Sequence, residues 1–236
     1  MMSLTRRLVL FGALGATITA IQGCANSRVT PEPRQQGAPR AVADGIPDNC
    51  CDALERDIVD ELNRARTDPR RYASDLESDL RFYRGNLFRR PTDESALQTR
   101  EGTGAVREAI EALRKTRPLG ALRASSELSK SARDHVRDQA PRGLMNHKGT
   151  DGTMAWDRVS KYGRWETKVS ENMTFGPATG RDVIAALIID DGIKDRGHRK
   201  NIFDPEIKIV GVSCAPHKTY RLMCDIVHAG GLTGDR

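Results

Sequence analysis

Ile207-Lys208-Ile209-Val210-Gly211-Val212-Ser213-Cys214 and Tyr220-Arg221-Leu222-Met223-Cys224-Asp225-Ile226-Val227-His228 are two runs rich in β-branched residues. They are separated by Ala215-Pro216-His217-Lys218-Thr219, and together they read as a β-hairpin. A pairing centred on Thr219 sets Cys214 opposite Cys224 and puts Val212 opposite Ile226 on the same face. Directly opposed cysteines on neighbouring antiparallel strands meet disulfide geometry, so a Cys214–Cys224 bridge is expected.

Upstream of the hairpin the period changes to that of helices. Leu54, Ile58, Leu62 and Ala65 recur at helical spacing and imply a first helix that stops before Asp68-Pro69. Tyr72 to Tyr83 is a second short helix, and residues 84 to 103 read as a loop or insertion. Val106, Ile110 and Leu113 mark a third helix, ended by Pro118. Ser125 caps a helix carrying Leu128, Ala132, Val136 and Gln139. Val183 to Ile189 is apolar nearly all round, which calls for burial. Helices flanking a small antiparallel sheet make an α+β sandwich.

The chain has 236 residues, enough for one domain with appendages. Lys and Arg number 38 against 32 Asp and Glu, and the two signs are mixed along the chain. Aromatic residues make up only 5%, which argues against a stacking platform for single-stranded nucleic acid. No nucleic-acid partner is expected.

The N-terminus reads as an address. Arg6 and Arg7 precede an uncharged run from Leu8 to Ile21, followed by Gln22-Gly23-Cys24. This is the layout of a secretory signal over residues 1–23, too short to span a bilayer with ease. Gly23-Cys24 resembles the lipobox of bacterial lipoproteins, in which the cysteine is acylated. Gln22 departs from the small or apolar residue usual there. Thr5-Arg6-Arg7 also resembles a twin-arginine export signal. A Pro-, Gly- and Gln-bearing stretch over 24–49 then reads as a flexible tether. The domain runs from 50 to 232, with 233–236 as a tail. Acylation of Cys24 leaves four of the five cysteines in a compartment where disulfides persist. Only Cys214 and Cys224 have an evident pairing; Cys50 and Cys51 are adjacent and pair with each other only under strain.

Polar residues that carry chemistry gather in three segments between 146 and 201. They are Asn146-His147-Lys148-Gly149-Thr150-Asp151-Gly152, Ser170-Glu171-Asn172-Met173, and Asp190-Asp191-Gly192 leading into Arg196-Gly197-His198-Arg199-Lys200-Asn201-Ile202. Two imidazoles with two or three carboxylates suffice for a divalent cation. They equally suit general acid–base work.

In this order, and closed by the Val210-Gly211-Val212 strand, the three segments resemble the CAP superfamily. That superfamily holds the cysteine-rich secretory proteins, antigen 5 and the pathogenesis-related proteins, and its module is also called the SCP domain. The bacterial secreted branch is the nearest. Leu62-Asn63-Arg64-Ala65-Arg66-Thr67-Asp68-Pro69 is similar to the first helix and turn of that branch. The resemblance implies an α–β–α sandwich, a small mostly antiparallel sheet between helical layers, with a large cleft. It implies that His147, His198 and Glu171 line the cleft and hold a divalent cation such as Zn²⁺. The fourth ligand of the family is a Glu in the helix before the second histidine; here Asp190 is the candidate, with Asp191 beside it. Ser170 stands where bacterial relatives often have glycine.

Two functions follow from these residues. The first is an exported module, anchored to a membrane through a lipidated Cys24 in the cell envelope, periplasmic or outer-surface, or else secreted. Its cleft would bind a lipid, a peptide or a cell-wall glycan. The alternative is a metal-assisted, peptidase-like hydrolase in which His147 or His198 activates water and Glu171 orients it, making His147, Glu171 and His198 the catalytic residues. No serine or cysteine lies in a recognisable nucleophile motif. Arg196, Arg199 and Lys200 form a positive edge that reads as a solvated face or as a seat for anionic groups. Trp156 and Trp165 read as packing residues, and His135 and His228 as partly buried.

Overall fold

The computed structural model describes residues 51–93 and 95–233. The signal, Cys24, the tether and Cys50 lie outside the described residues.

Helix α1, Asp52–Thr67, turns its Ile58, Leu62 and Ala65 stripe into the main core. The motif at its end is structural. Asn63 exchanges two hydrogen bonds with the backbone of Leu122, at 3.0 and 2.7 Å. Arg66 is fully buried and donates to the carbonyls of Gly120, Asp204 and Ile207 at 3.2 to 3.4 Å, satisfying a charge that would otherwise be costly to bury. Asp68 caps helix α2, Pro69–Asp79, by accepting from the Arg71 amide, and Pro69 occupies its first position. The second helix therefore starts and ends earlier than the Tyr72–Tyr83 reading, and a short 3-10 turn, Leu80–Phe82, follows it.

Residues 84 to 103 are not merely a loop. They contribute to a small antiparallel sheet of β1 (Tyr83–Arg84), β2 (Leu87–Phe88) and β3 (Leu97–Gln98). Two-residue strands carry too little pattern for periodicity to register. Helix α3, Thr103–Lys115, ends before Thr116 rather than at Pro118. Strand β4, Arg123–Ala124, leads to Ser125, whose hydroxyl accepts from Leu128 N and caps α4, Ser126–Gln139.

After α4 come α5 (Ala155–Ser160), β5 (Arg164–Phe175), α6 (Gly180–Ile189), α7 (Gly197–Ile202), β6 (Ile209–His217) and β7 (Arg221–Thr233). The main sheet has the order β4-β6-β7-β5; only β4 with β6 is parallel. The hairpin register is as expected, with Cys214 opposite Cys224 and Val212 opposite Ile226. The Cys214–Cys224 disulfide is formed. Strand β6 runs on to His217, so the turn is shorter than the sequence suggests. Cys51 is buried at the start of α1.

The helices lie on both faces of the sheet. Helices α1 and α6 cover the face carrying Val210, Val212, Cys224 and Ile226. Helices α4 and α5 cover the other, against Ile209, Val227 and Ala229. The fold is thus an α–β–α sandwich. Gly211 makes one face possible: a Cβ there would lie 2.2 Å from the backbone of Leu128 and Ser129, so α4 rests directly on β6.

His228 and His135 are wholly buried, more so than their sequence surroundings suggest. Among the described residues neither ring nitrogen of His228 meets a hydrogen-bond partner. Burial first, and the Arg66 charge second, push His228 down to about 4. A neutral folded imidazole with an unfolded value near 6.5 weakens the fold as pH drops from about 6.5 towards 4, by roughly 3 kcal/mol in all. His228→Leu removes the titrating ring and is expected to flatten that part of the stability–pH curve in urea titrations. His135, which burial also pushes down, contributes to the slope that remains, and the carboxyls of Asp225 and Glu55, pushed up by burial, oppose it. An unchanged curve in the variant would refute the assignment.

Candidate functional site

Strand β5 is an edge of the main sheet, and two of its consecutive residues organise the site. Glu171 faces α4 and α5, and Asn172 faces the opposite side. Strand β5 lacks a strand pattern in sequence because its buried end carries Glu171, Asn172 and Thr174, polar where a half-buried strand normally alternates apolar residues.

Glu171 is nearly fully buried. Its carboxylate accepts a hydrogen bond from His147 Nδ1 at 2.7 Å, and Arg158 Nη2 donates to its other oxygen. Burial alone would raise the Glu171 carboxyl; the His147 bond and the Arg158 charge outweigh it and hold the group below the usual carboxylate range. Since a carboxylate only accepts, His147 carries its proton on Nδ1, and in the neutral ring Nε2 keeps a lone pair. The His147 side chain is 48% exposed.

The loop bearing His147 is moulded on α4. His135 Nε2 donates to the Asn146 carbonyl at 2.9 Å, and Gln139 Oε1 accepts from the Asn146 amide at 3.2 Å. Asp138 accepts from the amide and hydroxyl of Thr150, at 2.8 and 2.5 Å. Arg158 closes the loop from the other end, donating to the carbonyls of His147 and Thr153 at 3.3 and 2.9 Å. Arg158, the counter-ion of the site, was not foreseen; an arginine in a short amphipathic helix gives no local sign of a partner 13 residues away.

The second histidine repeats the arrangement with different parts. Asp190 ends α6 in a left-handed conformation, φ 56°. Its carboxylate accepts from the His198 amide at 3.0 Å and from His198 Nδ1 at 2.7 Å. Of the two candidate aspartates it is therefore Asp190 that meets His198. Asp191 turns away and accepts the amides of Arg100 and Glu101 at 2.7 and 2.8 Å. Asn172 links this pair to the sheet, donating to the His198 carbonyl at 3.2 Å while its own oxygen accepts from Asn201 at 2.8 Å. His198 is 26% exposed.

The four residues His147, Glu171, Asp190 and His198 are thus arranged as two histidine–carboxylate pairs on either side of one strand edge. Among the described residues, no group of three or more His, Cys, Asp or Glu side chains is placed to hold a metal ion. The carboxylates are engaged by imidazole Nδ1, by Arg158 and by a backbone amide, which is the bracing that surrounds metal-ligating histidines rather than direct ligation. The two Nε2 atoms are the imidazole donors that this arrangement leaves open.

An open depression of about 300 Å³ lies beside the His147 loop. His135 and Arg158 are at its lining, with Asp134, Arg137, Asp138 and Lys161 supplying charges of both signs. The positive edge expected of Arg196 and Arg199 is largely neutralised: Arg196 pairs with Glu101 and Glu108, and Arg199 with Glu108. Trp156 and Trp165, expected to pack, are 46% and 36% exposed.

A family model described as the cysteine-rich secretory protein family, CAP, matches residues 107–226. This chain belongs to the CAP family. Its domain is 29% identical over 107 residues to YkwD of Bacillus subtilis, a match covering 45% of this chain and 40% of that protein. The chain thus spans well under half the length of that relative. Three solved structures are similar to it. An outer surface protein from Borrelia burgdorferi is 15% identical, with 47% of this chain and 78% of that one covered and a TM-score of 0.41. An extracellular protein containing an SCP domain from Bacillus anthracis is 17% identical, covering 47% and 34%, with a TM-score of 0.39. A cysteine-rich secretory protein from Staphylococcus aureus is 13% identical, covering 58% and 43%, with a TM-score of 0.37.

The buried charge of Glu171 makes a testable asymmetry. Arg158→Leu leaves a desolvated carboxylate without its counter-ion and is expected to cost about 3–5 kcal/mol in urea unfolding. Glu171→Gln keeps the shape and leaves the buried Arg158 the carbonyls of His147 and Thr153 as acceptors, so its loss is expected to be smaller. Equal losses would mean that the pair is not the main restraint on this face.

Proposed function

We propose that this CAP/SCP domain is an exported binding module whose two carboxylate-braced imidazoles meet a polar ligand at the edge of the sheet. The observation that carries this reading is the pairing of each Nδ1 with a buried acid, which leaves both Nε2 lone pairs as acceptors, bases or ligands. Export is supported by the relatives, described as extracellular or outer-surface proteins. Anchoring through an acylated Cys24 fits the signal layout and places the domain in the cell envelope. Among the ligand classes, the mixed charges of the depression favour a peptide or a cell-wall glycan over an acyl chain.

A divalent cation is part of the proposal in a limited form. When bound, such an ion would supply Lewis-acid chemistry, and His147 and His198 would hold it through Nε2. Glu171 and Asp190 would orient the rings rather than ligate.

A hydrolase is the second reading, favoured by the Glu171–His147 pair: a buried carboxylate orienting a half-exposed imidazole is the geometry of a general base. Cys214 and Cys224 are bridged and so supply no thiol nucleophile.

Titration with Zn²⁺ is expected to raise the melting temperature of the purified protein, and the double variant His147→Ala/His198→Ala is expected to abolish the rise. A rise of equal size in the double variant would remove the cation from the proposal. Retention of muropeptide fragments in equilibrium dialysis, lost in the same variant, supports the binding module. Metal-dependent peptide cleavage blocked by Glu171→Gln, with folding intact by circular dichroism, would replace it with the hydrolase.

A further inference from the structure

The segment between α6 and α7 begins and ends in left-handed residues that are not glycine: Asp190 at φ 56° and Arg196 at φ 52°. Side chains disfavour that region, so both positions persist only where their surroundings over-determine them. Two backbone bonds within the segment, Ile193 N to Asp190 O at 3.0 Å and Arg196 N to Ile193 O at 3.1 Å, supply part of the restraint; the rest comes from the chain that follows the small β1–β3 sheet.

Three contacts cross between the two pieces. Asp191 receives the consecutive amides of Arg100 and Glu101. Glu101 Oε1 accepts from the Gly192 amide at 2.6 Å. The Glu101 carboxylate takes the Arg196 guanidinium in a two-point fork, Nη1 to Oε1 at 2.8 Å and Nη2 to Oε2 at 2.9 Å. The same Arg196 Nη1 reaches back to the Asp190 carbonyl at 2.7 Å and to Ile193 O at 3.1 Å. One guanidinium therefore ties the first residue of the segment to its last. Glu108 of α3 completes the hold, accepting Arg196 Nε at 3.1 Å and Arg199 Nη2 at 2.5 Å, one residue to either side of Gly197-His198.

We propose that Glu101 and Arg196 are positioning residues for His198: their fork fixes the 190–196 segment in the shape that brings the Asp190 carboxylate onto both the amide and Nδ1 of that histidine. Neither touches the imidazole. Their action runs through the Asp190 backbone, and it holds whether the site binds a ligand, a cation or a substrate. The small sheet inserted before α3 thereby acquires a role, as the support from which Glu101 reaches the second histidine. Arginine is required for this, since a lysine supplies charge but not a planar set of donors. Glu101 stays ionised in acid because the bond from Arg196 pulls it down to about 2.

The test is the tautomer of His198 in the ¹⁵N-labelled full chain, read from long-range ¹H–¹⁵N spectra at about pH 8, above the ordinary histidine range. His198→Gln identifies the ring signals. The wild-type ring is expected as the Nδ1–H form. In Arg196→Lys and Glu101→Ala the signal is expected to shift towards the mixed tautomers of a free imidazole, while His147 keeps its own. Arg114→Ala, which breaks the exposed pair with Glu77, is expected to leave both histidines unchanged. Glu101→Gln retains an acceptor for Gly192 and gives the reading should the alanine variant fail to fold; it too is expected to raise the Nε2–H fraction. Melting temperatures that fall while the His198 signal stays in place in Arg196→Lys and Glu101→Gln would overturn the proposal, reducing the fork to a stabilising ion pair.

Discussion

A carboxylate inside a protein core must be neutralised or replaced, because an uncompensated one is worth several kcal/mol against folding. Glu171 is such a group, and much of the site is arranged to satisfy it. Arg158 supplies the opposite charge and His147 the directed hydrogen bond. For Arg158 to arrive, α5 must pack on β5; for His147 to arrive, the loop must be held by His135, Gln139 and Asp138 of α4. Helix α4 in turn sits where it does because Gly211 lets its backbone touch β6. Strand, loop and two helices are therefore linked through one charge.

The second pair solves the same problem locally. Asp190 and His198 are eight residues apart, and the acid is held by the amide of the residue it orients. Among the described residues no arginine pairs with its carboxylate in the way that Arg158 serves Glu171. What this pair needs is a fixed backbone path between its members, and the loop carrying Glu101 provides it. Asn172 then couples the result to the same strand that carries Glu171.

Legibility in the sequence followed the range of the interactions. The hairpin was readable because β-branched runs and two cysteines lie symmetrically about Thr219, and the register obeys that symmetry. Helices α1, α4 and α6 were readable from period and from the Ser125 cap. Strand β5 was not: its first four residues are exposed and its buried stretch is mostly polar, so neither part alternates as a strand pattern requires. His147, Glu171 and His198 were found through ordered motifs, and Asp190 through proximity to His198. Arg158, Glu101 and the spent charges of Arg196 and Arg199 depend on contacts between distant segments, which leave no mark on local composition. The tryptophans are less buried than large apolar residues usually are, with Trp156 and Trp165 only partly covered.

The unpaired edge of β5 has a consequence for how such molecules coexist. An open strand edge is a template on which a second sheet can grow, and crowding many copies on one surface would make that hazard acute. Here the outer half of the strand carries Arg164, Glu166 and Lys168, its pairing with β7 is broken by a register shift between Glu166 and Val169, and Thr167 adopts φ 65° within it. A bent, charged edge of this kind is a poor seed for intermolecular strand growth. The strand can therefore give its buried inner end to Glu171 and Asn172 without its outer end recruiting neighbours into aggregates.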